Sequence, residues 1–245
     1  MKTNKFQKRF YRDWVKAKDL YTSRVVFKET DLEILTDKAI DEKFVREKIK
    51  FYRWQIESYI DKDKRFLTAL KPINVEINAP LVVKEMAKAA KAAGVGPMAT
   101  VAGAIAQILG KDLLKQGFKE VIIENGGDLF LKSKKTRTVG IYPGKSELWK
   151  GLKLKIKPNN APIGICTSSG TVGHSLSFGL ADSVVILAKD AALADAVATA
   201  TCNRVKSADD LESSLEFAKS IKGITAVVII LKNNLISWGK IEFTS

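Results

Sequence analysis

Residues 120–132, EVIIENGGDLFLK, decide the fold class. Glu120–Glu124 and Asp128–Lys132 are aliphatic runs of strand length, and Asn125-Gly126-Gly127 between them provides the left-handed backbone that a tight hairpin needs. Two strands that return directly on each other are antiparallel, unlike the strand-helix-strand crossover of a parallel sheet. Downstream, Thr138–Tyr142, Leu152–Ile156, Ile163–Thr167 and Ser183–Ala188 read as further strands. Asp190 is placed to cap a helix over Ala191–Cys202, Asp209–Ile221 is an amphipathic helix, and Thr225–Leu231 with Leu235–Trp238 forms a closing hairpin over Asn233-Asn234.

Upstream the spacing is mostly helical. Arg24–Glu29 and Leu32–Thr36 form a hairpin, and Ala39–Ile60 repeats Ile40, Phe44, Ile49, Tyr52, Ile56 and Tyr59 near helical spacing. Ile73–Ile77 is read as a strand, and Leu81–Ala92 as a helix ended by Gly94. Pro97 opens another helix to about Gln116, whose stretch Met98–Gly110 carries no charge and must be buried or self-associated, so a homo-oligomer is one expectation. Strand runs interrupted by helix pairs give α+β rather than a regular βαβ series.

The 245 residues carry 41 Lys+Arg against 27 Asp+Glu, and 46% are hydrophobic, which excludes a disordered chain. The charge is uneven: residues 132–157 hold nine bases and one acid, whereas 158–245 are close to neutral. Leu152, Leu154 and Ile156 alternate with Lys153, Lys155 and Lys157, the pattern of a half-buried strand with a solvated lysine face. Such a balance attracts phosphate-bearing partners, but no DNA- or RNA-binding motif accompanies it. Two cysteines, Cys166 and Cys202, make no disulfide framework. The N-terminal MKTNKFQKRFYRDWVKAK has no apolar run, so neither a signal peptide nor a membrane span is expected, and the compartment expected is the cytoplasm. None of the 16 glycines precedes Gly94. With no linker at that change, residues 1–245 read as one unit, a glycine-free part over 1–93 and a glycine-rich part over 94–245 holding the site.

Three constellations carry chemistry. Asp195 and Thr199 lie one turn apart on an alanine-rich helix face, where a carboxylate needs a partner, a hydrogen bond or a metal; both offer hard oxygens suited to Mg²⁺. The competing reading pairs Asp195 with a base elsewhere. Thr167, Ser168, Ser169, Gly170 and Thr171 follow a strand, and a row of hydroxyls and glycine-permitted N–H groups can cradle an anion, or else form a plain surface turn. His174, the chain's single histidine, closes that loop. Glu124, Asn125, Gly126, Gly127 and Asp128 are the third, and as a bare hairpin turn between two strands they need no function. Trp14, Tyr52 and Trp54 could stack on a planar ligand or fill a core.

In this order, Gly-Val-Gly-Pro-Met-Ala (94–99), Asn-Gly-Gly-Asp (125–128), Thr-Ser-Ser-Gly (167–170) and Ala-Asp-Ala-x-Ala-Thr (194–199) resemble the ApbE-like superfamily, as a shorter cytoplasmic branch. The resemblance implies two related halves, each an antiparallel sheet with a helix pair, packed as one body. It implies Mg²⁺-dependent FAD:protein FMN transferase chemistry, or hydrolysis of FAD to FMN and AMP, with Asp195 and Thr199 as metal ligands. Asn125–Asp128 would lie beside the flavin, and the Thr167–Thr171 loop would lead to the family's histidine. Where that family continues His-x-x-Asp-Pro-x-Thr-Gly, this chain reads His174-Ser175-Leu176-Ser177-Phe178-Gly179. The expected activity is therefore Mg²⁺-assisted chemistry on a flavin or related nucleotide, with His174 a candidate for proton transfer and a protein as acceptor. The alternatives are a flavin- or nucleotide-binding protein without turnover, and a nucleic-acid-associated basic protein.

Overall fold

The computed structural model describes residues 17–144, 146–171 and 178–244. The hairpin at its centre forms as expected. Strands β3 (Val121–Asn125) and β4 (Asp128–Lys132) pair antiparallel with Asn125 opposite Asp128, and Gly126 and Gly127 take φ of +69° and +103°. Both central residues of the turn are left-handed, which suits the right-handed twist of the strands they join.

Around it an eight-stranded antiparallel sheet is assembled from two similar halves. The first runs β1 (Tyr21–Phe27), β2 (Thr30–Thr36), then helices α1 (Glu42–Lys62), α2 (Arg65–Thr68), α3 (Leu81–Ala93) and α4 (Val101–Lys115), then β3 and β4. The second runs β7 (Ile163–Ser168), β8 (Ser183–Ala188), helices α5 (Ala191–Arg204) and α6 (Leu211–Ser220), then β9 (Ile224–Leu231) and β10 (Asn234–Gly239). Strands neighbour one another in the order β1-β2-β3-β4-β7-β8-β9-β10, so each half is two strands, helices, two strands. The first half carries more than a helix pair. Between the halves, β5 (Arg137–Gly140) and β6 (Lys153–Ile156) leave the main sheet and, with the C-terminal β11 (Phe243–Thr244), make a small second sheet. The fold class is α+β.

Strand alternation sorts the core into two layers. One face of the large sheet, with Ile34, Ile123, Phe130, Cys166, Val184, Ile186, Val227 and Ile229, packs against all the long helices. The other, with Ile122, Leu131, Ile165, Val185, Leu187 and Val228, packs against Val139, Leu154 and Ile156 of the small sheet and Ile141 just after β5. The lysine face of β6 points outward as expected, and Lys155 and Lys157 meet Glu242 beside β11.

Three expectations need correction. Ile73–Ile77 is not a strand: it runs between Pro72 and Pro80 over the helices, with no strand to pair with, and Ile77 is 96% exposed. The helix begun at Pro97 opens as a 3₁₀ turn over Pro97–Thr100 before α4, and it lies at 101° to α3. The final hairpin turns at Lys232-Asn233, because Leu231 pairs with Asn234 and Lys232 takes φ +55°. The uncharged stretch of α4 is buried over Gly103 through Gly110, as a helix apolar all round requires. Among the described residues no single helix is long and apolar enough to cross a membrane.

Candidate functional site

The site begins with the packing of two helices made of small residues. Asp190 caps α5 by accepting from Leu193 N–H at 3.0 Å, and the helix then presents Ala191, Ala194, Asp195 and Ala198 to its neighbours. Gly103 of α4 lets the two backbones touch: a Cβ there would lie 2.4 Å from the Ala191 carbonyl oxygen. On β7, Gly164 admits α5 in the same way, its Cβ position being 2.4 Å from Ala191 Cα. Side chains of that size leave no room to bring in a long basic residue.

Asp195 is 9% exposed, and its Oδ2 accepts from Gly103 N–H at 2.9 Å. Burial pushes its carboxyl up to about 7, and the Gly103 hydrogen bond pulls the other way. Asp128, from the far side of the Gly-Gly turn, is the second buried carboxyl, raised well above the usual range by burial first and by Asp195 next. Its Oδ1 is buried without a hydrogen-bond partner. Among the described residues neither carboxylate has an ion pair, so the expected alternative of a compensating Lys or Arg is not what the fold provides. Thr199, one turn beyond Asp195, is buried as well.

The Gly-Gly turn is pinned to this place from both sides. Asn125 Nδ2 donates to the Ala102 carbonyl at 3.1 Å, one residue before Gly103, and Glu124 Oε1 accepts from Gly127 N–H at 2.8 Å. Gly127 faces Thr167, whose carbonyl oxygen would stand 3.9 Å from a Cβ. Asn125, Asp128 and Asp195 therefore gather where α4, α5, β4 and β7 meet, with Thr199 one turn along α5 and the Thr167 backbone carbonyl beside Gly127, while the Thr167 side chain shares the opposite face of β7 with Ile165. Cys166 lies beneath, its thiol 3.2 Å from the Ala191 carbonyl oxygen. Burial, then Asp128 and Asp195, pushes that thiol up, so it holds its proton. One alternation further along the same face of β7, the Ser168 hydroxyl is buried with no hydrogen-bond partner.

The loop after β7 is built differently from the expected backbone cradle. Gly170 N–H donates to the Ala181 carbonyl at 2.9 Å, and Thr171 N–H donates to Ser169 Oγ at 3.1 Å, so neither amide is turned toward an anion. Gly170 is required for space rather than for φ: a Cβ would sit 2.0 Å from the Gly179 carbonyl oxygen. What the loop offers is hydroxyls. Ser169 and Thr171 lie 3.3 Å apart, and Thr171 also reaches Asp182 Oδ1 at 3.3 Å. Asp182 escaped the sequence reading, although it also accepts from Lys232 N–H at 2.6 Å and so ties the loop to the β9–β10 turn. His174 and Gly173 lie outside the described residues, as does Trp14. Tyr52 is core, donating to Asp112 Oδ2 at 2.6 Å, and Trp54 is 62% exposed beside Phe51.

These residues fit a hard divalent cation. An orphaned carboxylate oxygen on Asp128, the Asp195 carboxylate and the Thr199 hydroxyl are oxygen donors without a competing base. Among the described residues no three His, Cys, Asp or Glu side chains group so as to hold a metal by themselves.

Comparison with known proteins addresses the family and the fold. The chain is 42% identical over 226 residues to a UPF0280 protein of Methanocaldococcus jannaschii, covering 90% of this chain and 91% of that one. It is 38% identical over 215 residues to a UPF0280 protein of Methanosarcina barkeri, covering 87% and 85%. Among solved structures it resembles a flavin transferase ApbE from Vibrio cholerae, with a TM-score of 0.60 at 14% identity over 89% of this chain and 96% of that one. It also resembles the apo form of a Pseudomonas stutzeri flavinyl transferase ApbE, with a TM-score of 0.59 at 13% identity over 90% and 94%. At these identities the structural likeness is one of fold. A family model described as "AbpE bacteria" matches residues 12–236. By that match across nearly its whole length, the chain belongs to the AbpE bacteria family, within the ApbE-like superfamily.

Proposed function

We propose that this protein binds Mg²⁺ at Asp195 and Thr199, with Asp128 beside them, and performs transfer chemistry on the pyrophosphate of FAD or a related dinucleotide. The observation that carries the reading is the pair of carboxyls, Asp128 and Asp195, buried together without an ion pair. Such a pair is tolerated only with a proton or a cation between its charges. Protonation serves the free protein; a cation serves a working site.

Mg²⁺ held there supplies neutralisation of the charge that grows on phosphate oxygens. The chain's own residues do the rest. In this reading the Asn125–Asp128 turn and the hydroxyls of the Thr167–Thr171 loop would orient the nucleotide, and His174 would transfer the proton. In the transfer, an acceptor oxygen forms a bond to the FMN phosphorus while the bond from that phosphorus to the AMP oxygen breaks. The acceptor's proton goes to the base. Water as acceptor gives FMN and AMP, and a protein hydroxyl gives a phosphoester-linked FMN and AMP. Because the proteins that share this fold are flavin transferases, FAD is the first nucleotide to test.

The test is AMP release from FAD by the purified chain with Mg²⁺, with EDTA, and with Asp195→Asn in place of wild type. Mg²⁺-dependent AMP that disappears in the variant supports the reading. Thermal stabilisation by FAD without AMP would move the assignment to a flavin-binding protein without turnover. The absence of both AMP release and stabilisation by FAD, FMN or ADP overturns it.

A further inference from the structure

Gln107 is a polar side chain on the most apolar helix of the protein, and it is 1% exposed. Its carboxamide makes all four hydrogen bonds available to it. Oε1 accepts from Ala191 N–H at 2.8 Å and from Ala192 N–H at 3.3 Å. Nε2 donates to Glu85 Oε2 and to Asp190 Oδ2, each at 3.0 Å. With Asp190 accepting from Leu193 N–H, the first three amides of α5 are satisfied by two side chains, one from the helix itself and one from α4.

That arrangement fixes more than a helix end. Gln107 meets Ala191, and one turn earlier on α4, Gly103 meets Asp195 one turn later on α5. The helices run antiparallel, so a single register sets both contacts. Slippage of either helix against the other would break the Gly103 hydrogen bond and turn the Asp195 carboxylate away from Asp128. No apolar residue at 107 can hold that register, because it would leave Ala191 and Ala192 N–H buried and unpaired. A glutamate would keep the two acceptor contacts but face the Glu85 and Asp190 carboxylates.

We infer that Gln107 is a positioning residue that clasps α4 to the first turn of α5 and thereby aims Asp195 at the cation site. The inference rests on the metal reading above for its functional meaning, but the positioning itself is open to separate measurement. The experiment uses the full chain carrying Gln107→Met, with Gln107→Glu as the variant to fall back on if Met prevents folding. Amide hydrogen exchange at Gly103 is compared with exchange at Leu109 and Leu113 of the same helix, and Mn²⁺ alone is titrated calorimetrically against wild type, Asp195→Asn and the Gln107 variant. The expected result is exchange at Gly103 faster by tenfold or more with Leu113 little changed, and Mn²⁺ affinity weaker by about tenfold at a temperature where the variant is fully folded. Equal acceleration along all of α4, or unchanged Gly103 exchange in a folded variant, overturns the inference. Mn²⁺ binding that is lost in Asp195→Asn yet unchanged in the Gln107 variant overturns it too. If wild type binds no Mn²⁺ the metal reading falls, and Gly103 exchange alone then decides the positioning.

Discussion

Gly103 N–H donates to Asp195 Oδ2 at 2.9 Å, and the same glycine leaves a would-be Cβ 2.8 Å from Asp195 Cβ. One residue therefore both solvates the buried carboxylate and lets its helix come close enough to do so. Gly103→Ala should push α4 and α5 apart. Overpacking of this kind costs about 1–3 kcal/mol, and for a chain of this size each kcal/mol lowers Tm by roughly 2–4 °C. Mn²⁺ affinity should fall with it. An alanine variant with wild-type Tm and wild-type Mn²⁺ binding would contradict the close contact.

Stability and function should part company at the carboxyl pair. Asp128→Asn removes a buried charge beside Asp195 and keeps the shape, so the metal-free protein at pH 8 should be as stable as wild type or more so. The stabilisation by Mg²⁺ or Mn²⁺ should nevertheless be lost, because binding to the folded state alone is what raises Tm. Thermal melts with EDTA and with excess metal check both signs. A variant destabilised without metal would mean that Asp128 is a structural acceptor.

The same carboxyls set a pH dependence whose sign is opposite to that of an ion-paired acid. Asp195 is raised from 3.8 to about 7, and Asp128 is raised as well. Between pH 4 and 7 the unfolded chain has released these protons while the folded chain still holds them. Stability of the metal-free protein is thus fully present below the unfolded value and falls as pH rises toward 7, by at most about 1.4 kcal/mol per pH unit for each proton. Asp19 works the other way: its hydrogen bonds with Arg137 and Lys135 hold it well below the usual range, so its contribution is lost only in stronger acid. Melts in EDTA from pH 5 to 8 should show the decline in wild type, a shallower decline in Asp195→Asn, and little decline with saturating Mg²⁺.

Much of this was legible from residue order because local signals agree with the final packing. The Asn125-Gly126-Gly127 turn, the Asp190 cap and the alternation in β6 are each settled within a few residues, and each forms where it was expected. Asp195 stood out because a charge on an alanine face is costly anywhere. What could not be read were partnerships across the chain. Nothing local to Asp128 says that it ends beside Asp195, and Gln107, though conspicuous with Thr100 in an uncharged stretch, gives no hint that its partners are at 85 and 190–192. Ile73–Ile77 misled for the same reason: its composition suits a strand, but a strand exists only where a neighbour offers an edge.

A second charge network, around Arg137, should behave as structure. Arg137, 7% exposed, donates to Glu120 Oε2, to Ser133 Oγ and to Asp19 Oδ1. Arg137→Leu leaves Glu120 buried and unpaired, a loss of about 3–5 kcal/mol. Adding Glu120→Leu should restore a large part of that loss. Denaturant melts of the two single variants and the double variant check it, and strictly additive losses would show that the pair does not interact.

Two glycines of the site should respond to substitution for different reasons, and the contrast tests the local geometry. Gly126 has φ +69° with nothing within 4 Å of its Cβ position, so only the backbone objects to a side chain there. Gly126→Ala should cost about 1 kcal/mol, whereas Gly126→Asn should cost less, since asparagine tolerates the left-handed region. Gly170 has no positive φ, yet its Cβ position lies 2.0 Å from the Gly179 carbonyl oxygen and 3.1 Å from Leu180 N. Alanine there meets backbone, which cannot rotate away, and asparagine is larger still. Gly170→Asn should therefore be at least as damaging as Gly170→Ala, the reverse of the order at position 126. Urea midpoints of the four variants give the two orders directly. If asparagine were the better substitute at both positions, the loop after β7 would owe its glycine to dihedral strain, and the hydroxyl-lined surface assigned to Ser169 and Thr171 would have to be redrawn as a backbone cradle.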